Sequence, residues 1–291
     1  MLLRRQNKEG RMVKRFLLPL FLLILSCLPL TSYGQIGVKL EFKKRAYLQY
    51  ETVVAKVTLR NDSGNPILFG QDEQLRGDLK FHILDGNKRT VRAKDPDVRI
   101  LENVMLQPGE TQEVFIVLNN YYNIAGLGNY TATAYITHPS LNSDYESSRQ
   151  NFEVSQGVTE WSKNVGLPSF MLDRDNPEQD DTRTVKIVSL MDYGRKNLYV
   201  TVEDKDYVYS VLALGGILGE EKCTAEVDNL GRLHILVPVA SKEYRYFVIT
   251  LNGDVDEEAS YVAVNSVPVL ARDPQSARVY IVGGDKMELR K

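Results

Sequence analysis

From Gln35 to Val154 apolar and polar residues alternate in short runs. Val53-Val54-Ala55-Lys56-Val57-Thr58-Leu59-Arg60 alternates and enters the polar turn Asn61-Asp62-Ser63-Gly64-Asn65-Pro66. Leu79-Lys80-Phe81-His82-Ile83-Leu84 leads into Asp85-Gly86-Asn87, and the runs Glu113–Leu118 and Tyr130–Ile136 follow. A period of two puts alternate side chains on opposite faces of a strand. With turn residues roughly every eight to twelve positions, this predicts an antiparallel β-sandwich over 35–155. Helical periodicity is absent from this stretch.

Residues 156–183 differ. Gly157, Trp161, Gly166-Leu167-Pro168 and Asp173-Arg174-Asp175-Asn176-Pro177-Glu178-Gln179-Asp180-Asp181 form a polar, proline-bearing stretch with little periodicity, expected to be a linker. Over 184–291 strands return and the chain repeats itself. Asn197–Val202 is echoed by Arg232–Val237, an offset of 35 (232 − 197), and Tyr207–Gly216 by Tyr244–Gly253, an offset of 37 (244 − 207). Glu220-Glu221 matches Glu257-Glu258, and Ser276–Gly284 opens a third, truncated copy. Each unit reads as strand, turn, strand, Gly turn and a further strand (Thr224–Val227; Tyr261–Val264). The expected fold is all-β: a sandwich followed by a second β domain of β-meander repeats of about 36 residues.

Two stretches resemble known families. Leu106-Gln107-Pro108-Gly109-Glu110-Thr111, a strand, Tyr121-Tyr122-Asn123-Ile124 and Gly128-Asn129-Tyr130-Thr131-Ala132 resemble the end of bacterial immunoglobulin-like and macroglobulin-type domains. That resemblance implies an immunoglobulin-like sandwich in which Tyr130 packs inward and its hydroxyl reaches backbone, as in a tyrosine corner. Asp228-Asn229-Leu230-Gly231-Arg232-Leu233-His234 resembles a segment of propeller-type repeats, where Asp and Gly make the turn before an inner strand. Two and a half copies are too few to close a propeller, so an open sheet or a second sandwich is expected. Both resemblances speak to fold and leave function open.

Residues 1–34 read as a secretory signal peptide: a basic start (Arg4, Arg5, Lys8, Arg11, Lys14, Arg15), an apolar run from Phe16 to Leu25, and small Ser32 and Gly34 before a cut. Met12 is an alternative start. The rival is Ile24-Leu25-Ser26-Cys27, a lipoprotein-like box that would leave an acylated Cys27 as a membrane tether. Residues 1–34 carry six basic residues and one acidic; removing them from 36 basic and 38 acidic leaves 30 against 37, a net charge of −7. An acidic exported chain disfavours nucleic acid as a partner and favours a protein or glycan outside the cytoplasm, in the periplasm or beyond the cell. With Cys27 gone, Cys223 is the remaining thiol, so no internal disulfide forms; Cys223 heads an apolar alternation and reads as a structural cysteine.

Candidate chemistry is sparse. His82, His138 and His234 lack metal-ligand spacing and read as structural or exposed strand residues. Gly215–Lys222 lacks the glycine-lysine-serine/threonine ending of a phosphate loop and reads as a turn. No nucleophile elbow occurs. Asp173, Asp175, Asp180 and Asp181 are the best calcium candidates, although Pro177 at the fifth loop position and no glycine at the sixth exclude an EF-hand. No cofactor is expected. Tyr207 and Tyr209, with Tyr244 and Tyr246 in equivalent strands, form either a cross-strand ladder or an exposed platform for a glycan or peptide. The leading expectation is an exported, non-catalytic binding protein. Its alternatives are an accessory or degenerate glycan or peptide hydrolase, and a structural protein that dimerises through an unfinished sheet edge at Ser276–Lys291.

Overall fold

The structure, a computed structural model, describes residues 35–70, 77–172, 180–217 and 222–287. The signal segment, Cys27, Asp173 and Asp175 lie outside the described residues. The described chain is nearly all-β, with one helical turn among its strands. Its first half runs β1 (Ile36–Phe42), β2 (Ala46–Leu48), β3 (Val54–Asn61), β4 (Ile67–Phe69), β5 (Asp78–Leu84), β6 (Val104–Leu106), β7 (Thr111–Val117), the helical turn α1 (Leu118–Tyr121), β8 (Gly128–Thr137), β9 (Tyr145–Glu146) and β10 (Gln150–Ser155).

The alternating runs become strands with one buried face, as period two requires. β3 buries Ala55, Val57 and Leu59, and β5 buries Leu79, Phe81 and Ile83. One sheet has the order β1-β3-β7 and another β2-β10-β8-β5; their buried faces contribute to one core. All these pairings are antiparallel except β2 with β10. Glu110 N–H donates to the Gln107 carbonyl at 2.9 Å, closing the Pro108-Gly109 turn before β7. Tyr130 is buried, its ring stacks on Phe152 at a centroid distance of 5.1 Å, and its hydroxyl donates to the Gly126 carbonyl at 2.7 Å.

The second half comprises β11 (Val158–Gly166), β12 (Thr182–Asp192), β13 (Arg195–Glu203), β14 (Val208–Gly216), β15 (Thr224–Val227), β16 (Leu233–Ala240), β17 (Glu243–Ile249), β18 (Val255–Val262), β19 (Val269–Arg272), β20 (Val279–Val282) and β21 (Asp285–Met287). It forms two antiparallel sheets, β11-β12-β13-β14 and β15-β16-β17-β18-β21, which share a second core. A hairpin, β19-β20, covers the other face of the second sheet through Leu270 and Ile281. Because β12, β13, β16 and β17 are covered on both faces, their buried residues run consecutively, as in Leu233–Val237.

The sequence echo is real as a pair of hairpins but out of phase with the sheets. The hairpin β13–β14 lies third and fourth in its sheet, whereas its counterpart β16–β17 lies second and third. Thr224–Val227 follows β14 in the chain, but as β15 it pairs with β16 and opens the next sheet. The third copy forms half of the β19–β20 hairpin, and β21 pairs with β18, so the strands of Ser276–Met287 find partners within the chain.

Part of the stretch expected to be a linker is sheet. β11 occupies Val158–Gly166 and pairs with β12 along its length. Its apolar period is missing because it is an edge strand, mostly exposed, with Val165 buried and Trp161 half-buried against the second core. Gln156 and Gly157 are the two residues between β10 and β11.

The halves also meet through side chains. Ala46 and Leu48 of β2 pack on Val188, Leu190 and Tyr199. Asp192 Oδ1 accepts from the amides of Arg45 (2.9 Å) and Ala46 (3.2 Å). Lys44 pairs with Glu51 and donates to the Tyr199 hydroxyl at 3.1 Å. Burial alone would pull the Lys44 ammonium down, but these hydrogen bonds outweigh it and hold the group above its ordinary range.

Gly157 permits this close joint. Its φ is +66°, and a Cβ there would stand 2.6 Å from the Ser189 carbonyl and 2.7 Å from Val188 Cγ1. Gly157→Ala is expected to cost at least about 1 kcal/mol, because it adds a clash to a left-handed backbone. An unchanged urea midpoint and slope would refute this.

Burial also pushes the Tyr47 phenol, close to this joint, up to about 12. Exposed tyrosines ionise near 10. Spectrophotometric titration should therefore show a late component near pH 12 that Tyr47→Phe removes. With the folded pKa above the unfolded one, the folded state holds the proton longer. The stabilising contribution is complete below about pH 10 and is lost as pH rises through 12.

Candidate functional site

A cleft of about 650 Å³ lies where the two halves meet. The first half contributes Leu48, Gln49 and Tyr50, and the connection contributes Gln156 and Gly157. Lys186 and Val188 of β12, Thr201 and Glu203 of β13, and the Asp204–Val208 turn complete the lining together with Thr159. The volume falls within the ~300–1,000 Å³ usual for ligand sites.

Tyr50 is the least relaxed residue of this cleft. Its φ is +67° and its side chain is 53% exposed. A bulky residue in the left-handed region costs of order 1–3 kcal/mol and persists where its surroundings hold it. They do so here. Gln49 N–H donates to the Ser155 carbonyl at 2.8 Å, and Gln49 Nε2 to the Ala125 carbonyl at 2.9 Å. On the other side Glu51 N–H donates to the Leu48 carbonyl, while Glu51 Oε2 accepts from Leu48 N–H, both at 2.9 Å. The turn is pinned on both flanks and the aromatic ring is left outside.

The Asp204 turn brings the second exposed ring. Asp204 Oδ1 accepts from the amides of Asp206 (2.9 Å) and Tyr207 (2.8 Å), which folds the β13–β14 connection and leaves Tyr207 69% exposed. Asp204 Oδ2 accepts from Arg183 Nη1 at 3.0 Å and from the Tyr209 hydroxyl. The Arg183 guanidinium lies 3.8 Å from the centre of the Tyr209 ring. Burial pushes the Asp204 carboxyl up, but the Tyr209 hydroxyl, the two amides and the Arg183 charge outweigh it and hold the carboxyl below its ordinary range. Lys186 pairs with Glu203 beside it.

The four tyrosines singled out from the sequence do not share a surface. Tyr207 lines the cleft; Tyr209 is held by Arg183 and Asp204. Tyr244 is half-buried and Tyr246 buried on the other sheet, where both pack toward the β19–β20 hairpin. The Tyr246 hydroxyl donates to His234 Nδ1 at 2.6 Å, and His234 Nε2 donates to Asp228 Oδ2 at 3.1 Å. That direction follows because an ionised carboxylate only accepts. His138 is also structural: its Nδ1 accepts from Ser140 N–H at 3.1 Å, so Nε2 donates to the Leu68 carbonyl at 2.9 Å. His82 is exposed on β5.

No group of three or more His, Cys, Asp or Glu residues suited to a metal occurs among the described residues. Asp180 is committed locally, accepting from Thr182 N–H at 3.1 Å and Thr182 Oγ1 at 2.8 Å; Asp181 is exposed beside it. Burial raises the Cys223 thiol above its ordinary range, the opposite of a reactive thiolate. No helix among the described residues is long and apolar enough to cross a membrane. Tyr50, Gln156, Lys186, Glu203 and Asp204 carry no local signal that marks them as a site; the cleft exists because four distant segments converge. No protein-family model matches this sequence, and no curated protein matches it significantly.

Proposed function

We propose that this is an exported, non-catalytic binding protein of the cell envelope or extracellular space, with the cleft between its halves as the binding site. The first half is read as an immunoglobulin-like domain, supported by the Pro108-Gly109 turn and the inward Tyr130. The observation that carries the reading is the pair Tyr50 and Tyr207. These two exposed rings come from different halves, are each held by a pinned turn, and line one cleft. Exposed residues on turns held by a rigid scaffold are a recurrent feature of recognition sites, and the strained backbone of Tyr50 adds to the case.

The hydrolase alternative would need a carboxyl held protonated near neutral pH as a general acid. Three carboxylates line the cleft: Asp204 is held low, Glu203 is ion-paired and Asp206 is exposed to water, which favours binding over acid catalysis. The dimer alternative is supported less well, since the β20 and β21 strands pair internally.

The test is capture of envelope or secreted components by the exported protein and by a Tyr50→Ala/Tyr207→Ala variant. The expected result is a component retained by the native protein, released intact, and lost with the variant. Equal retention by both would sink the cleft as the site, and a cleaved component would sink the non-catalytic reading. N-terminal sequencing of the exported product is expected to begin at Gln35; an acylated Cys27 would show a tethered form instead.

A further inference from the structure

We infer that the cleft recognises an uncharged saccharide chain, a proposal that rests on the binding reading above and specifies its ligand. The first support is charge balance. Lys186 is paired with Glu203, Asp204 with Arg183 behind it, and Lys205 stands 4.0 Å from Asp206. Three cations therefore stand beside three anions, so the site has no net charge to draw in a charged ligand. A phosphate, a uronic acid or a basic peptide would lose hydration on entry without gaining a free counter-charge.

The second support is the uncommitted polar inventory. The side chains of Gln156 and Thr159 and the hydroxyls of Tyr50 and Tyr207 make no hydrogen bond to other described residues, and all four residues line the cleft. Together they offer an amide that donates and accepts and three hydroxyls that do both. A ligand rich in hydroxyl groups satisfies such a set without carrying charge.

The third support is the aromatic pair. A tyrosine presents an apolar face with a polar tip. A pyranose presents an apolar C–H face with a rim of hydroxyls, so the ring stacks while the rim bonds. An apolar peptide would instead need a continuous apolar floor, and here Leu48 and Val188 are buried, packed with Ala46, Leu190 and Tyr199. Trp161 is not part of the site; it packs against the second core.

The test is titration calorimetry of the exported protein with cellohexaose, xylohexaose, maltohexaose and chitohexaose. Hexagalacturonate, hexalysine and an uncharged hexapeptide serve as the contrasting probes. Binding of at least one neutral hexasaccharide is expected, with affinity nearly independent of salt between about 0.05 and 0.3 M. Tyr50→Ala and Tyr207→Ala, which remove ring and hydroxyl, should each weaken it about three- to tenfold, and Tyr50→Phe and Tyr207→Phe, which lose the hydroxyl alone, should each weaken it measurably but less. Both side chains are exposed, so an unchanged melting temperature confirms that the variants fold.

If none of the neutral saccharides binds, the inference is overturned. If only a charged probe or the peptide binds, and the alanine variants abolish that binding, the saccharide inference falls while the cleft remains the site. Binding of any probe that neither alanine variant alters overturns both.

Discussion

Replacing Asp228 by alanine is expected to cost about 3–5 kcal/mol of folding stability, the range for removing one partner of a buried hydrogen-bonded charge pair. Asp228 organises the turn between β15 and β16. Its Oδ1 accepts from the amides of Leu230 and Arg232, both at 2.9 Å, and Gly231 takes the required φ of +79°. Its Oδ2 accepts from Arg232 Nε at 2.9 Å and from His234 Nε2 at 3.1 Å. Without the carboxylate, His234 keeps a buried N–H with no acceptor, and the Tyr246–His234 bond loses the group that orients the imidazole. A fall of roughly 6–20 °C in melting temperature corresponds to this loss for a chain of this size.

The molecule supplies its own control. Asp85 makes the same turn on the surface, with Oδ1 accepting from the amides of Asn87 and Arg89 and Oδ2 from Arg89 Nε, but no histidine follows. Asp85→Ala should therefore cost clearly less than Asp228→Ala, and equal losses would refute a structural role for the His234–Tyr246 link. The pH dependence follows from the sign of the shift. Burial raises the Asp228 carboxyl, but the His234 and Arg232 hydrogen bonds with the turn amides prevail and hold it below its ordinary value. With the folded pKa below the unfolded one, the stabilisation is present above about pH 4 and is lost as pH falls through the folded value. The gap between native protein and Asp228→Ala should therefore close in acid.

The second large effect is expected at Arg183. Its side chain and that of Asp204 are each only 6% exposed, so Arg183→Met leaves a buried carboxylate without its cation. The expected loss is about 3 kcal/mol, read from urea denaturation. Asp204→Asn in the Arg183→Met background should recover part of it, because the uncompensated charge is gone. The same variant should weaken ligand binding, since the Asp204 turn presents Tyr207. Additive losses in the double variant would show that the two residues act independently.

Legibility in the sequence differed between elements for a physical reason. β3, β5, β7 and β8 were readable because each follows period two over most of its length, β3 and β5 with a clearly buried face. The Asp85 and Asp228 turns were readable because the aspartate side chain bonds to backbone within a few residues, and the Pro108-Gly109 turn because proline and glycine restrict or free the backbone locally. β11 was not readable, since an exposed edge strand is held by backbone pairing to β12 and needs no apolar pattern of its own. The phase of the repeat was hidden too. Similar hairpins took different places in their sheets because strand order depends on which edge each hairpin meets.

By itself, then, the chain's order of residues determined an all-β protein, its hairpins and turns, and the aromatic richness of the β13–β14 region. Those features rest on contacts between near neighbours. The tertiary structure alone decided that Tyr246 is buried beside His234 while Tyr207 stands in solvent, and that Tyr50 shares a cleft with Tyr207. It also decided that three cations meet three anions there. Tyr50 and Tyr207 come from segments more than a hundred positions apart, and Arg183 meets Asp204 from another strand; such meetings leave no periodic trace in the segments that make them.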